Sequence, residues 1–137
     1  MNSGQILTFL GGKTKDGNLL TIIKAGLSPR AIAILSERAG VARTVLLQKL
    51  DISESTLARR TRARKKLTAQ ESDRLVRMAR VYAYASEVFE SEEKARQWMQ
   101  HPIRALNFTA PFEYLDTEEG ARQVEAVLSH LEHGVFS

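Results

Sequence analysis

One stretch, Val45 to Lys66, constrains the fold more than any other part of the chain. It predicts a short helix, a tight turn and a second helix. Ser53 is a good N-cap for the second helix, because its hydroxyl can accept a hydrogen bond from a free backbone N–H of the first turn. Ile52 and Leu57 can clasp across that cap as a hydrophobic staple. The turn position that often holds glycine is Asp51, and aspartate tolerates a left-handed backbone. The stretch therefore predicts a helix-turn-helix unit.

The second helix carries the side chains expected of a helix that enters the major groove of DNA. Small hydroxyl residues near its start let the backbone approach the duplex, and the arginines that follow can reach guanine edges or phosphates. The window from Ser53 to Lys66 holds six Lys/Arg against one acid. A plain solvated surface is the alternative, but such a helix usually mixes charges of both signs. We predict base or phosphate contacts for Arg59 and Arg60 and phosphate contacts for the cations after them. The candidate DNA-binding residues are Ser53, Ser55, Thr56, Arg59, Arg60, Arg62, Arg64, Lys65 and Lys66.

Charge is divided between the two halves of the chain. Residues 1–66 carry 13 Lys/Arg against 4 Asp/Glu, a net +9, whereas residues 67–137 carry 7 against 12, a net −5. The basic half suits a polyanion. The acidic half would repel one, so we expect it to contact protein.

Composition limits the class of protein further. The hydrophobic content of 43% indicates a folded chain, and 137 residues suffice for one ordinary core or two small halves that share a helix. The absence of cysteine excludes disulfides and thiolate metal sites. No apolar run approaches the ~20 residues of a spanning helix, and the apolar segment near the N-terminus is too short for a signal peptide. We expect a soluble cytoplasmic protein without a membrane partner.

Helix signals recur along the whole chain, and no segment has the alternation of a strand, so we predict an all-α fold. The capping box from Thr68 to Glu71 starts the longest helix, which is expected to join two helical halves. The predicted organisation is a flexible arm at 1–17, a helix-turn-helix DNA-binding domain at 18–80 and a small helical domain at 81–137. The apolar side chains of the arm could dock either on the body of the protein or on a partner.

No constellation in the sequence supports catalysis or a metal site. His130 and His133 are three residues apart on one predicted helix, and Glu125 or Glu132 could join them at a metal. Surface histidines at a helix C-terminus, where positive charge is favoured, are the simpler interpretation. Nothing places an orienting group beside a serine and a histidine, and no GK[ST] follows the glycines of the arm. We predict a protein that is not an enzyme and has no catalytic residue, metal or cofactor.

Two halves of the sequence resemble one family. The segments GLSPRAIAILSERAGVARTVLLQKLDISESTLARR and LTAQESDRLVRMARVYAYASEVF resemble the N-terminal half of the Xre/MbcA/ParS antitoxins. The segment KARQWMQHPIRALNFTAPFEYLDTEEGARQVEAVLSHLEHGVF resembles their C-terminal toxin-binding half. The motifs that carry the resemblance are ESDRL, ARQW, LDTEEGARQV and HG, in that order, and the resemblance covers about 19–136. It implies an antitoxin whose partner is a RES-domain toxin that degrades NAD. It also implies binding to the promoter DNA of its own operon.

The resemblance also makes the domain at 81–137 the toxin-binding domain. We expect the short apolar tail that follows the last helix to block the active site of the toxin. The connector 107–110 reads Asn-Phe-Thr-Ala, whereas the family usually has a glycine-rich segment there, and Phe108 cannot adopt a left-handed conformation cheaply. The candidate toxin-binding residues are Glu113, Glu118, His133, Gly134, Val135, Phe136 and Ser137.

A homodimer within a larger hetero-oligomer is the expected assembly. Paired helix-turn-helix units bind half-sites one helical turn apart, at ~34 Å, and so gain affinity and register. The alternative to an antitoxin is a stand-alone helix-turn-helix transcriptional regulator whose C-terminal domain serves only in oligomerisation.

Overall fold

A computed structural model describes residues 3–12 and 18–134 of the chain. Within these ranges the regular elements are helices, without a strand, and an isolated antiparallel bridge joins Ile103 to Thr109. The all-α prediction is confirmed. The α-helices are α1 (Ser3–Phe9), α2 (Leu19–Ala25), α3 (Arg30–Ala39), α4 (Arg43–Leu50), α5 (Glu54–Arg62), α6 (Ala69–Phe89), α7 (Glu92–Gln100) and α8 (Glu118–Glu132). Two 3-10 helices, Arg104–Leu106 and Pro111–Asp116, lie between α7 and α8.

Local capping residues determine where several helices start. The Ser91 hydroxyl accepts a hydrogen bond from the Lys94 N–H at 3.1 Å and caps α7. The Thr117 hydroxyl accepts one from the Gly120 N–H at 2.9 Å and caps α8. Each bond satisfies a backbone donor that the first turn of a helix leaves without a partner.

The chain divides into two compact units, residues 1–79 and 80–137, and the boundary falls within α6. In the first unit the buried side chains lie mainly on α3, α4 and the first half of α6. Each such aliphatic side chain stabilises the fold by roughly 1.5–3 kcal/mol relative to exposure. The most completely buried ones are Ile32, Leu35, Leu46, Leu50, Leu75 and Met78.

A glycine permits the close packing of the connector between α2 and α3 against the residues that precede α6. Gly26 has φ +91°, and an added Cβ would collide with the carbonyl oxygen of Leu67. The Leu67 N–H donates to the Leu27 carbonyl at 2.8 Å, and the Leu27 N–H donates to the Ser72 hydroxyl at 2.8 Å. These bonds fix the start of α6 on the first unit.

The segment predicted as a flexible arm differs from that expectation. It contains α1, and Ile6, Leu7, Phe9 and Leu10 are all buried. The guanidinium of Arg38 lies 4.1 Å from the centroid of the Phe9 ring and donates to the Phe9 carbonyl at 3.1 Å. The apolar side chains of the arm were expected to dock either on the body of the protein or on a partner. Those of the described part dock on the body, because they are buried on the first unit. Residues 13–17 of the predicted arm lie outside the described residues.

The second unit packs α8 and the 3-10 helices around the second half of α6. Tyr82 is buried, and its ring meets that of Phe112 edge to face, with centroids 6.4 Å apart. Burial raises the pKa of the Tyr82 hydroxyl, which accepts a hydrogen bond from the Gln100 amide at 3.1 Å. At Gly120 an added Cβ would collide with the carbonyl oxygen of Tyr114, so only glycine lets the start of α8 lie so close to the preceding 3-10 helix.

Candidate functional site

The turn between α4 and α5 has the predicted geometry. Asp51 lies in the left-handed region, with φ 57° and ψ 46°. Its N–H donates to the Gln48 carbonyl at 3.1 Å, and the Ile52 N–H donates to the Leu47 carbonyl at 2.9 Å. This pair of bonds is the Schellman arrangement that ends a helix at a left-handed residue. Aspartate therefore fills the position where glycine was the commoner choice.

The start of α5 exposes a set of hydroxyl groups. The Ser53 side chain caps the helix by accepting from the Thr56 N–H at 3.1 Å, as predicted, and Leu57 is buried beneath it. The Ser53 hydroxyl also donates to the Thr56 hydroxyl at 2.8 Å and lies 3.2 Å from the Ser55 hydroxyl. The arginine one turn on, Arg59, is exposed. One surface of α5 thus presents short polar side chains followed by a guanidinium, which is the arrangement that a major groove admits.

Arg60, which was predicted to contact DNA, is partly buried. Its guanidinium forms an ion pair with the carboxylate of Glu71, and the two side chains are only 20% and 11% exposed. The same carboxylate accepts from the Thr68 N–H at 2.8 Å, and the Glu71 N–H donates to the Thr68 hydroxyl at 3.1 Å. The predicted capping box is therefore present, but it also holds α5 against the start of α6. Arg60 is thus engaged in a contact within the first unit, whereas Arg59 is exposed, and DNA contact by either residue stays a prediction.

Burial and the neighbouring hydrogen bonds have opposite effects on the pKa of Glu71. Burial alone would raise it. The hydrogen bonds from Thr68 and the charge and hydrogen bond of Arg60 outweigh that effect and lower the pKa below its ordinary value. Glu71 is therefore ionised at neutral pH, as its pairing with Arg60 requires.

Helix α5 ends at Arg62, so the last three cations lie beyond it rather than along a continued helix. Arg64 adopts φ 55°, and its N–H donates to the Thr61 carbonyl at 3.2 Å. The Lys65 N–H donates to the Arg60 carbonyl at 2.8 Å, which completes a second Schellman arrangement. A left-handed conformation costs a side chain such as arginine roughly 1–2 kcal/mol relative to glycine. The exposed side chains of Arg64, Lys65 and Lys66 are thus gathered at the C-terminal end of α5.

A groove of about 700 Å³ lies between the start of α3 and α5. Pro29, Ile32 and Leu57 supply apolar lining, and six cations line it as well. Four of these were predicted to contact DNA. Arg30 lies on α3, outside the motif, and Arg43 is the first residue of α4, just before the stretch from Val45 to Lys66. Arg43 is paired with Glu54 at 2.9 Å. The six cations are Arg30, Arg43, Arg62, Arg64, Lys65 and Lys66.

Two of the predicted toxin-binding residues, Glu113 and Glu118, have different surroundings in the second unit. Glu113 is exposed on the second 3-10 helix, whereas Glu118 lies in the first turn of α8 and binds Arg80. Two Arg80 nitrogens, Nη1 and Nη2, donate to Glu118 at 3.2 and 2.8 Å. The Arg80 Nε and Nη2 also donate to Glu125, at 3.1 and 3.0 Å. Glu118 therefore stabilises the second unit, a role that sequence analysis could not assign because its partner is distant in sequence.

Helix α8 ends at Glu132, just before the tail. His133 caps the helix, is exposed, and its ring Nδ1 donates to the Ser129 carbonyl at 2.9 Å. Gly134 has φ 62°. Val135, Phe136 and Ser137 lie outside the described residues.

The connector between the two 3-10 helices forms a tight turn. The Ile103 N–H donates to the Thr109 carbonyl at 3.2 Å, and the Phe108 N–H donates back to the Ile103 carbonyl at 2.9 Å. Asn107 and Phe108 both lie in the left-handed region, with φ 57° and 59°. Phe108 accepts a conformation that costs it roughly 1–2 kcal/mol. Its side chain is 72% exposed.

No group of three or more His, Asp or Glu side chains in residues 3–12 and 18–134 lies close enough to hold a metal ion. None of the helices described here has the length and hydrophobicity to cross a bilayer.

Comparison with known proteins assigns both units. Residues 19–80 match the antitoxin Xre-like helix-turn-helix domain, and residues 85–134 match the antitoxin Xre/MbcA/ParS C-terminal toxin-binding domain. The chain is 33% identical to the antitoxin Xre of Photorhabdus laumondii over 121 residues, which cover 88% of this chain and 82% of that protein. It is 35% identical to the antitoxin Xre of Yersinia enterocolitica over 120 residues, 87% of this chain and 81% of that protein. Against the antitoxin Xre of Pseudomonas putida the identity is 34% over 119 residues, 87% of this chain and 74% of that protein. The chain therefore belongs to the Xre/MbcA/ParS family of antitoxins.

Proposed function

We propose that this antitoxin neutralises a RES-domain toxin that degrades NAD, and that it represses its own operon by binding promoter DNA. The observation that carries the DNA-binding half is the exposed, cationic α5 that follows a well-formed helix-turn. The match of residues 85–134 to a toxin-binding domain supports the other half. Such a protein acts in the cytoplasm, where promoter DNA and NAD are both present.

In this proposal α5 is the helix that enters the major groove. Ser55 and Thr56 let its N-terminal turn come close to the duplex, and Arg59 reaches a base edge or phosphate. The cations around the end of α5 bind phosphates, which position the protein without reading sequence. Arg60 contributes indirectly, because its ion pair with Glu71 sets the orientation of α5 on the first unit.

Two copies of the chain are expected to bind one operator. Each α5 reads one half-site, and the two helices then lie about one turn of DNA apart, ~34 Å. The phosphate contacts add affinity for any sequence, so discrimination depends on Arg59 and the hydroxyl residues at the start of α5.

The second unit is proposed to block the toxin. Residues 80–137 carry 5 Lys/Arg against 10 Asp/Glu, so they would be repelled by DNA and suit a protein partner. Glu113, His133 and the tail from Gly134 to Ser137 are the candidate contacts. We propose that the tail enters the active site, and that the antitoxin itself carries no catalytic residue and needs no cofactor.

The DNA-binding half is tested by titrating promoter DNA of the operon with three alanine variants. R59A should lower specific affinity by about 1–3 kcal/mol, because it removes a base contact. K65A should weaken binding to all sequences alike and reduce the salt slope by about 0.9. K94A, which removes an exposed lysine of the second unit, is the matched control and should change neither quantity. If K65A and K94A bind DNA equally well, the C-terminal end of α5 does not contact DNA.

The toxin-binding half is tested by co-expression with the adjacent reading frame. The pair should form a complex that survives purification, and growth that is arrested by the partner alone should resume. Growth arrest that persists, with no complex recovered, would favour a stand-alone regulator instead.

A further inference from the structure

Phe108 is presented at the tip of the turn that joins the two 3-10 helices. Its side chain is 72% exposed, the largest exposed fraction among the large apolar side chains of the described residues. Exposed aromatic rings of this kind are enriched in protein interfaces and depleted elsewhere on surfaces. The ring therefore needs an explanation beyond folding.

The turn itself does not need the ring. The antiparallel bridge between Ile103 and Thr109 closes it, and the Tyr114 hydroxyl donates to the Leu106 carbonyl at 3.1 Å just before it. Leu106 is buried and anchors the turn from below. These contacts come from the backbone and from neighbouring side chains, so a smaller residue at 108 would leave them intact.

The backbone conformation at Phe108 disfavours any residue that carries a Cβ. With φ 59°, directly after Asn107 at φ 57°, position 108 has the conformation that glycine adopts without strain. A phenylalanine that is both strained and largely exposed stabilises the free protein less than glycine would. Strained residues persist where another role requires them.

We infer that Phe108 is an anchor that inserts into an apolar pocket on the toxin. The inference rests on the proposed function and names one residue of that interface. Phe108 lies inside the segment matched to the toxin-binding domain, and the unit that contains it carries a net −5, which disfavours DNA as the occupant. A rigid turn also presents the ring with little loss of conformational entropy on binding.

The test compares F108A with N107G in the full-length antitoxin. F108A removes the ring but keeps a residue with a Cβ at the left-handed position, so the backbone strain is retained. N107G relieves strain at the adjacent position and leaves the ring in place. Affinity for the purified product of the adjacent reading frame is measured by calorimetry, and folding of each variant is checked by its melting temperature.

F108A should raise the Kd by at least about tenfold, as expected for the loss of a central aromatic contact. N107G should bind within about twofold of the wild type, since it leaves the Phe108 ring in place. A Kd for F108A equal to that of the wild type overturns the inference while leaving toxin binding intact. If the wild type itself does not bind, the proposed function fails, and the anchor fails with it. If F108A changes only the self-association of the antitoxin, seen by light scattering, the ring serves a second copy and the inference is also overturned.

Discussion

Replacing Glu71 with glutamine tests whether its cluster with Arg60 and Thr68 holds α5 in place. The carboxylate accepts hydrogen bonds from the Thr68 N–H and from the Arg60 guanidinium. Glutamine can still complete the capping box, because its side-chain oxygen remains an acceptor. E71Q therefore removes the charge while keeping the shape and the cap.

The size of the effect follows from the burial of both side chains. Removing one partner of a buried ion pair costs about 3–5 kcal/mol, because the other charge is left without compensation. In E71Q the amide oxygen still accepts a hydrogen bond from the charged guanidinium of Arg60, which recovers part of this cost. We expect a loss of about 2 kcal/mol in the free energy of unfolding of the first unit. For a unit of this size, that corresponds to a melting temperature lower by about 10 °C.

Urea denaturation followed by far-UV circular dichroism measures the loss. Fluorescence of Trp98, the single tryptophan, reports separately on the second unit. E37Q makes the same chemical change at an exposed position of α3 and should shift stability by less than about 0.5 kcal/mol. An E71Q variant as stable as E37Q would refute the proposed role of the cluster.

The same substitution gives a pH test with a defined sign. The folded-state pKa of Glu71 is lowered, so its contribution is complete above the unfolded value of about 4.3 and is lost as the pH falls through the folded pKa. The stability gap between the wild type and E71Q should be constant from about pH 7 to pH 6 and should narrow below about pH 4.5. A gap that stays unchanged down to about pH 3.5 would contradict the assignment of the ion pair.

Three further outcomes are expected. R64G should raise the free energy of unfolding by about 1 kcal/mol, because glycine adopts the left-handed conformation without strain. It should also reduce the salt slope of DNA binding. An unchanged melting temperature would contradict the strain argument. R80M should destabilise the second unit by about 2 kcal/mol, because it leaves Glu118 and Glu125 without their shared cation; Trp98 fluorescence measures the loss. The expected loss is smaller than that for a fully buried ion pair, because both carboxylates are partly exposed. Deletion of 135–137 should release toxin activity in co-expression while the melting temperature stays the same, and neutralisation that survives the deletion would exclude the tail as the blocking element.

Apart from α1, the helices, several of their caps and the turn of the motif were predictable from the sequence. Ser53, Ser91 and Thr117 cap helices through bonds to residues three positions along the chain, and Asp51 supplies the left-handed turn. Such interactions are local, so the residue types and their spacing are enough to predict them. The resemblance to antitoxins also came from the sequence, since the motifs occur in order along nearly the whole chain.

The pairs of side chains that meet across the chain depend on tertiary packing. Arg60 pairs with Glu71, Arg80 joins carboxylates 38 and 45 residues away, and the apolar side chains of α1 are buried on the first unit. Each pairing forms only when separate elements have packed together. The free energy of that packing is a sum over many contacts between residues distant in sequence, so the spacing of residue types along the chain does not predict it. The conformation of Phe108 was decided in the same way, because the bridge between Ile103 and Thr109 imposes a turn that the residue alone would avoid.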